Sequence, residues 1–413
     1  MLFDFGNSSY TTVIVTAVFA PYFINTVVIA DEGSTASGNF YWGVGNAISQ
    51  ALVLLTAPIV GAVADFSGVK KRFLFLTYVG CVAGTCALSW VGPGDLALAL
   101  VIFALSNFFF SSGENLIAAF LPEIAPPERM GLISGLGWGL GYVGGLVSLV
   151  ACYPLVQGGF GADNAASVQW TFVIAGGFFL LSGLPTFVFL RERPAYQRRR
   201  IHLMTGFQRV FQTLRHVRKH RQLFRFLGIF LFYNCGTMIV ITFASIFAAR
   251  ELGMSGGEVV EFFIVVQVSA SVGALGFGYA QDRLGAKACL IAALVGWVMV
   301  CIGGPLCETT LHLYIVGNLA GVAMGASQSG ARALVGLFTP TARSGEYFGL
   351  WGLAWKLSSG LGPLLFGIAS GLGLPMRLAF LLTGVFFVGG IVGLFAVDVA
   401  AGRREAEATV HPS

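Results

Sequence analysis

Four charged side chains fall in or beside stretches apolar enough to lie in hydrocarbon: Glu114, Arg332, Glu346 and Lys356. A charge at that depth costs at least a few kcal/mol, so each implies a partner or a task. Glu114 and Arg332 have opposite signs at matching depths. They suit a state-dependent latch, a carboxylate that carries a coupling proton, or a static pair whose ends snorkel to the interface. Lys356 follows Trp355 directly and has no acid near it in sequence. Its ammonium calls for an anion: a solute carboxylate or phosphate, or a distant acidic side chain. Glu346 stands ten residues earlier, about 15 Å along a helix, which makes it a poorer counter-ion. Trp138 and Trp355 can frame a solute or simply pack two helices.

Uncharged polar residues accompany these charges. Asn7, Ser8, Tyr10, Thr11, Thr12, Thr16, Asn25 and Thr26 lie along the first apolar stretch. Asn46, Gln50, Asn234, Thr237, Gln267, Asn318 and Gln328 lie on later ones. Such groups glue membrane helices together or bond their own backbone. As a set, Asn7, Tyr10, Asn234 and Gln328 also suit binding of a small polar solute. Between two apolar stretches, Asp65 can accept from the next helix's first amides or pair with a cation. Gly68 permits a tight turn, and Lys70, Lys71 and Arg72 supply charge. Asp282, Arg283 and Lys287 form a weaker copy.

The elements that position these residues are set by composition. The chain is 56% hydrophobic and 10% charged, values that exclude a soluble globular domain and indicate an all-α integral membrane protein. Apolar runs long enough to cross about 30 Å of hydrocarbon are expected at 9–30, 41–64, 73–91, 96–120, 131–154, 168–190, 226–248, 259–280, 288–306, 310–336, 347–370 and 376–398. With both termini in the cytoplasm, twenty of the 24 Lys and Arg face inward, whereas Arg250 and Arg377 alone face outward. That asymmetry fixes the expected orientation in the cytoplasmic membrane. The organisation is then a six-helix bundle (1–190), a linker (191–225), a second bundle (226–398) and a cytoplasmic tail (399–413). The linker holds eleven Lys and Arg against one acid. Its apolar residues from Leu203 to Val217 recur at helical spacing, so it reads as a basic amphipathic helix on the anionic inner leaflet or as a solvated connector. Seven cysteines, all in apolar segments, read as inert thiols. Gly131, Gly135 and Gly139 form one small-residue row and Gly137, Gly141 and Gly145 another, a sign of close helix packing. No nucleotide loop, metal cluster, catalytic triad or nucleic-acid pattern is present; the expectation is a monomer with no cofactor and a proton as the coupling ion.

The two halves repeat. Gly61, Asp65, Gly68 and Lys70 precede Gly278, Asp282, Gly285 and Lys287 by 217 residues, and Gly135 and Trp138 precede Gly352 and Trp355 by the same offset. A one-residue gap aligns Pro122 with Pro340 and Glu114 with Arg332. Two parallel six-helix repeats imply a transporter bundle with a site at the repeat interface.

The loop DFSGVKKR (65–72) after the second stretch, with its degenerate copy after the eighth, resembles the signature of the major facilitator superfamily. FDFGNSSYTTVIVTAVFAPYF (3–23), LPEIAPPERMGLISGLGWGLGYVGG (121–145) and the blocks within 328–363 resemble the autophagy-related vacuolar effluxer branch. The resemblance implies a twelve-helix major facilitator fold, alternating access, and no enzymatic activity. It further implies that the 65–72 loop and its copy lock the inward ends of the bundles in one state. Fungal members of that branch are implicated in amino-acid export from the vacuole, so the implied cargo is an amino acid or similar metabolite moving outward. The competing class is a non-transporting sensor or scaffold built on a transporter fold.

Overall fold

The computed structural model of the chain describes residues 1–28, 35–67, 69–192 and 220–408. Gly68, the expected amphipathic helix around 203–217 and the last five tail residues lie outside them. The described residues form helices α1 (Leu2–Ser9), α2 (Thr35–Ser67), α3 (Lys70–Ala87), α4 (Leu96–Ala118), α5 (Met130–Val156), α6 (Ala165–Phe189), α7 (Arg221–Leu252), α8 (Gly256–Leu284), α9 (Ala286–Gly303), α10 (Thr310–Phe338), α11 (Ser344–Gly371), α12 (Met376–Phe395) and α13 (Val399–Ala408). Short helical turns join several of them.

Ten helical stretches among the described residues are long and apolar enough to cross a membrane. α10 and α11, at 29 and 28 residues, are long enough but are too polar to be among them. The expected count of twelve therefore rests on this pair, which carries Arg332, Glu346 and Lys356.

By contact the chain divides into two compact units, Met1–Ala118 with Leu140–Ile201, and Ala119–Gly139 with His202–Ser413. The division falls inside α5. In the first unit α4 packs on α2 and α3, and α6 packs on α1 and α3. In the second, α10 packs on α8 and α9, and α12 packs on α7 and α9. The same four pairings recur six helices later, so the repeat read from glycine and tryptophan spacing is also a repeat of packing.

Several boundaries differ from the apolar runs. The first helix begins at Leu2, before the expected residue 9, because Phe3 is buried against Phe179 and Tyr78. Beyond Ser9 it continues as wider turns, Tyr10–Ala17 and Phe23–Val28, around a short α-helical turn at Phe19–Tyr22. Wide turns inside helices are frequent at functional sites. α7 begins at Arg221, so Arg221 and Arg225 belong to the helix, not the linker. α8 is started by a reciprocal cap between Ser255 and Glu258. Gly285 closes the α8–α9 turn at φ +88°, a conformation that favours glycine.

The tail is also structured. α13 docks within the second unit, with Gly402 and Ala406 buried. Gln222 of α7 accepts from the Asp398 amide at 3.0 Å and donates its own amide to Glu405 at 3.1 Å.

The first glycine row of α5 is one place where backbones approach closely. A Cβ on Gly135 would lie 2.4 Å from the Ala274 carbonyl oxygen and 2.6 Å from Gly278 Cα. The expected sign is therefore destabilising. Gly135→Leu should cost about 1–3 kcal/mol and lower the melting temperature of detergent-purified protein, whereas Gly177→Ala, with nothing within 4 Å, should leave it unchanged.

Candidate functional site

In the first unit the polar stripe of α1 meets α4. Asn7 is buried and its Nδ2 donates to Glu114 Oε1 at 3.5 Å. One turn on, the Tyr10 hydroxyl shares a 2.7 Å hydrogen bond with Ser106, and its ring stacks on Phe110 at 4.7 Å. Asn107 donates to Ser49 of α2 at 2.6 Å. Around Glu114 the face is more polar than the charged residue alone announces: Ser111, Ser112 and Asn115 are all buried.

In the second unit Arg332 is only 7% exposed. Its Nη2 donates to the Ser134 carbonyl at 2.7 Å and its Nε to the Ser134 hydroxyl at 3.2 Å. That hydroxyl donates in turn to the Ser329 carbonyl at 2.7 Å, closing α10 onto the start of α5. The guanidinium carbon sits 5.5 Å from the Trp138 ring centre, within cation–π range. Trp138 stacks on Trp355 at 5.9 Å and 14°. Two positions equated by the sequence repeat thus touch.

Lys356 follows Trp355 on α11 and is half-buried. Asn234 of α7 donates to Ser358 at 2.6 Å, two residues beyond Lys356. Gln328 is buried one turn before Arg332. Glu346, 1% exposed, pairs with Arg343 at 2.8 Å, so this acid has a counter-ion on its own turn.

The loop residues divide by role. Asp65 pairs with Lys70 at 2.9 Å, both buried, while Lys71 donates to the Leu190 carbonyl at 2.7 Å past the end of α6. In the second repeat Lys287 donates to the Val397 carbonyl at 2.7 Å past the end of α12. Spacing equates Lys287 with Lys70, but by contact it does the work of Lys71. Asp282 caps α5, accepting from Gly131 N at 2.9 Å and Leu132 N at 3.2 Å. Arg72 is exposed, and Arg283 lies over its own helix's Tyr279 at 4.4 Å.

Sequence reasoning passed over Ser134, Ser111, Trp351 and Tyr233. A serine inside a helix has no signal of its own. Trp351 could have been found, since it stands one turn before Trp355; the two rings meet at 5.6 Å, and Phe230 packs on both.

Two helical repeats with charges at matching places, Arg332 buried and Glu114 half-buried, define a secondary transporter of the major facilitator type. The family described as "Vacuole effluxer Atg22 like" matches residues 2–131 and 128–407, and the chain belongs to it. The chain is 29% identical over 403 residues to the "Uncharacterized MFS-type transporter YxiO" of Bacillus subtilis, covering 96% of this chain and 94% of that one. It is 27% identical over 391 residues to "Autophagy-related protein 22" of Kluyveromyces lactis, covering 86% and 78%. Its fold is that of the proton:xylose symporter XylE (TM-score 0.73, 15% identity, 99% and 97% covered). It is likewise that of the fucose:proton symporter FucP of E. coli (TM-score 0.71, 13% identity, 96% of each chain). The protein is a multi-pass membrane transporter and not an enzyme.

The Asp282 cap can be tested by isosteric change. Asp282→Ala should cost about 1 kcal/mol through loss of the cap and lower the melting temperature, whereas Asp282→Asn should retain most of it, because asparagine caps comparably.

Proposed function

We propose that this transporter exports a small polar solute, an amino acid or similar metabolite, across the cytoplasmic membrane by alternating access. Residues 1–190 and 226–398 are the moving bodies, the protein works as a monomer, and both termini face the cytoplasm. The observation that carries this reading is the hold of Arg332 on Ser134. Each of these hydrogen bonds is worth roughly 1.5–3 kcal/mol, as bonds to a charged group are, a size that a transport cycle can make and break. Arg332 is the latch on the first turns of α5. Asp282 and the loop Asp65, Gly68, Lys70, Lys71 and Arg72, with Arg283 and Lys287, form the gate.

Lys356 takes the solute's negative group, with Trp355 and Trp138 framing it. Asn234, Gln328, Asn7 and Tyr10 complete the polar lining. Glu114 carries a coupling proton. XylE and FucP are proton symporters, which supports coupling to protons here. Efflux of radiolabelled amino acids from proteoliposomes tests the whole. Lys356→Ala should reduce flux at least tenfold, and Glu114→Gln should abolish its dependence on a pH gradient. Undiminished flux in the first variant would remove Lys356 from the site; full gradient dependence in the second would remove Glu114 from coupling.

A further inference from the structure

Three helices meet at the start of α5, and each pair of them is tied by hydrogen bonds. Asp282 of α8 holds α5 by the amides of Gly131 and Leu132. Ser134 of α5 holds α10 by donating to the Ser329 carbonyl, and Arg332 of α10 returns the hold. The remaining edge, between α8 and α10, is made by Gln281, the residue before Asp282. Its Nε2 donates to the Ser329 hydroxyl at 3.1 Å, and that hydroxyl donates to the Ala326 carbonyl at 3.1 Å. Gln281 is buried. Its stem lies where Gly131 has no side chain: a Cβ there would come within 2.4 Å of Gln281 Cβ and 2.9 Å of Asp282 Oδ1.

This triangle constrains one proton. A serine hydroxyl has a single hydrogen to donate and otherwise accepts. The Ser134 hydrogen is directed at the Ser329 carbonyl, so the oxygen presents its lone pairs to Arg332 Nε. With Ser329 displaced, the hydroxyl would be free to turn that hydrogen toward the guanidinium, and an acceptor would become a repelling donor. The separation of Ser329 from Ser134 is set from α8, where two adjacent side chains hold one helix each. As a mere space filler Gln281 is a costly choice. Its Oε1 is buried with no hydrogen-bond partner among the described residues, a penalty that a methionine in its place would not carry.

We propose that Gln281 is a positioning residue of the Arg332 latch, joining it to the Asp282 cap so that the two hold or release α5 together. The inference rests on the reading of Arg332 as a latch, and its test separates the two.

That test is a double-mutant cycle in the full-length protein, Gln281→Met against Ser134→Ala, read by hydrogen exchange of the helical amides of 135–139 in detergent. Each single change should speed exchange there at least fivefold, and the double change no more than the faster single one. Exchange in α12 and the melting temperature of Gln281→Met should stay as in the native protein. Ser329→Ala removes the same bond should Gln281→Met fold poorly. In proteoliposomes, Gln281→Met should alter the maximal efflux rate of radiolabelled amino acids in the direction that Ser134→Ala does, and leave the half-saturating concentration unchanged. Unaltered exchange in Gln281→Met would overturn the positioning role. So would equal acceleration in the native and Ser134→Ala backgrounds, since the glutamine would then only fill space. Exchange as expected, with efflux unaltered in both variants, keeps the positioning role and overturns the latch.

Discussion

A guanidinium in a membrane helix must be satisfied by the protein, since lipid offers neither water nor counter-ion. Arg332 meets that requirement by reaching out of α10 to the first turns of α5, where the hydroxyl and carbonyl of Ser134 receive it. Much of the second unit follows from that reach. α5 must start where Ser134 can be met, which puts its first amides within range of Asp282. It also puts Trp138 under the guanidinium and against Trp355. Residues 119–139 accordingly count with the second compact unit although they precede it in the chain.

Close backbone packing makes this arrangement possible. The α5 row of Gly131, Gly135 and Gly139 lies on α8, where Ser271 donates to the Gly139 carbonyl at 3.0 Å. Further along the same helix, Gly144 packs on the Phe5 backbone of α1. One helix thus turns a small-residue face to each of two neighbours, and dispersion over these bare contacts does in lipid what the hydrophobic effect does in water.

The repeat has a chemical asymmetry. Equivalent tryptophans stack, and equivalent loops tie their lysines to carbonyls past the ends of α6 and α12. The charges do not repeat: Glu114 stands where Arg332 stands six helices later, and Lys356 aligns with Gly139. The first repeat therefore carries a carboxylate where the second carries a guanidinium, and the second adds an ammonium. Polarity follows the same division. The two long helices that fall short on apolarity, α10 and α11, are those that carry the second repeat's charges.

Helices, their approximate limits, the repeat and the family were legible in the sequence. Apolar run length, glycine and tryptophan spacing and loop motifs are local or periodic properties that survive without coordinates. The charged positions were legible for the same reason, because a charge amid apolar residues stands out at once. What each charge holds was not. Ser134 is ordinary in its own segment and gains meaning only when α10 brings Arg332 beside it. The pairing of Glu346 with Arg343 and the exchange of roles between Lys70 and Lys71 turn on side-chain reach over a few ångströms, which sequence spacing does not resolve. The amino-acid sequence by itself determined which segments enter the membrane and which residues are costly there. Tertiary structure alone decided how each cost is met, because the partners lie on helices far apart in the chain and only packing makes them neighbours.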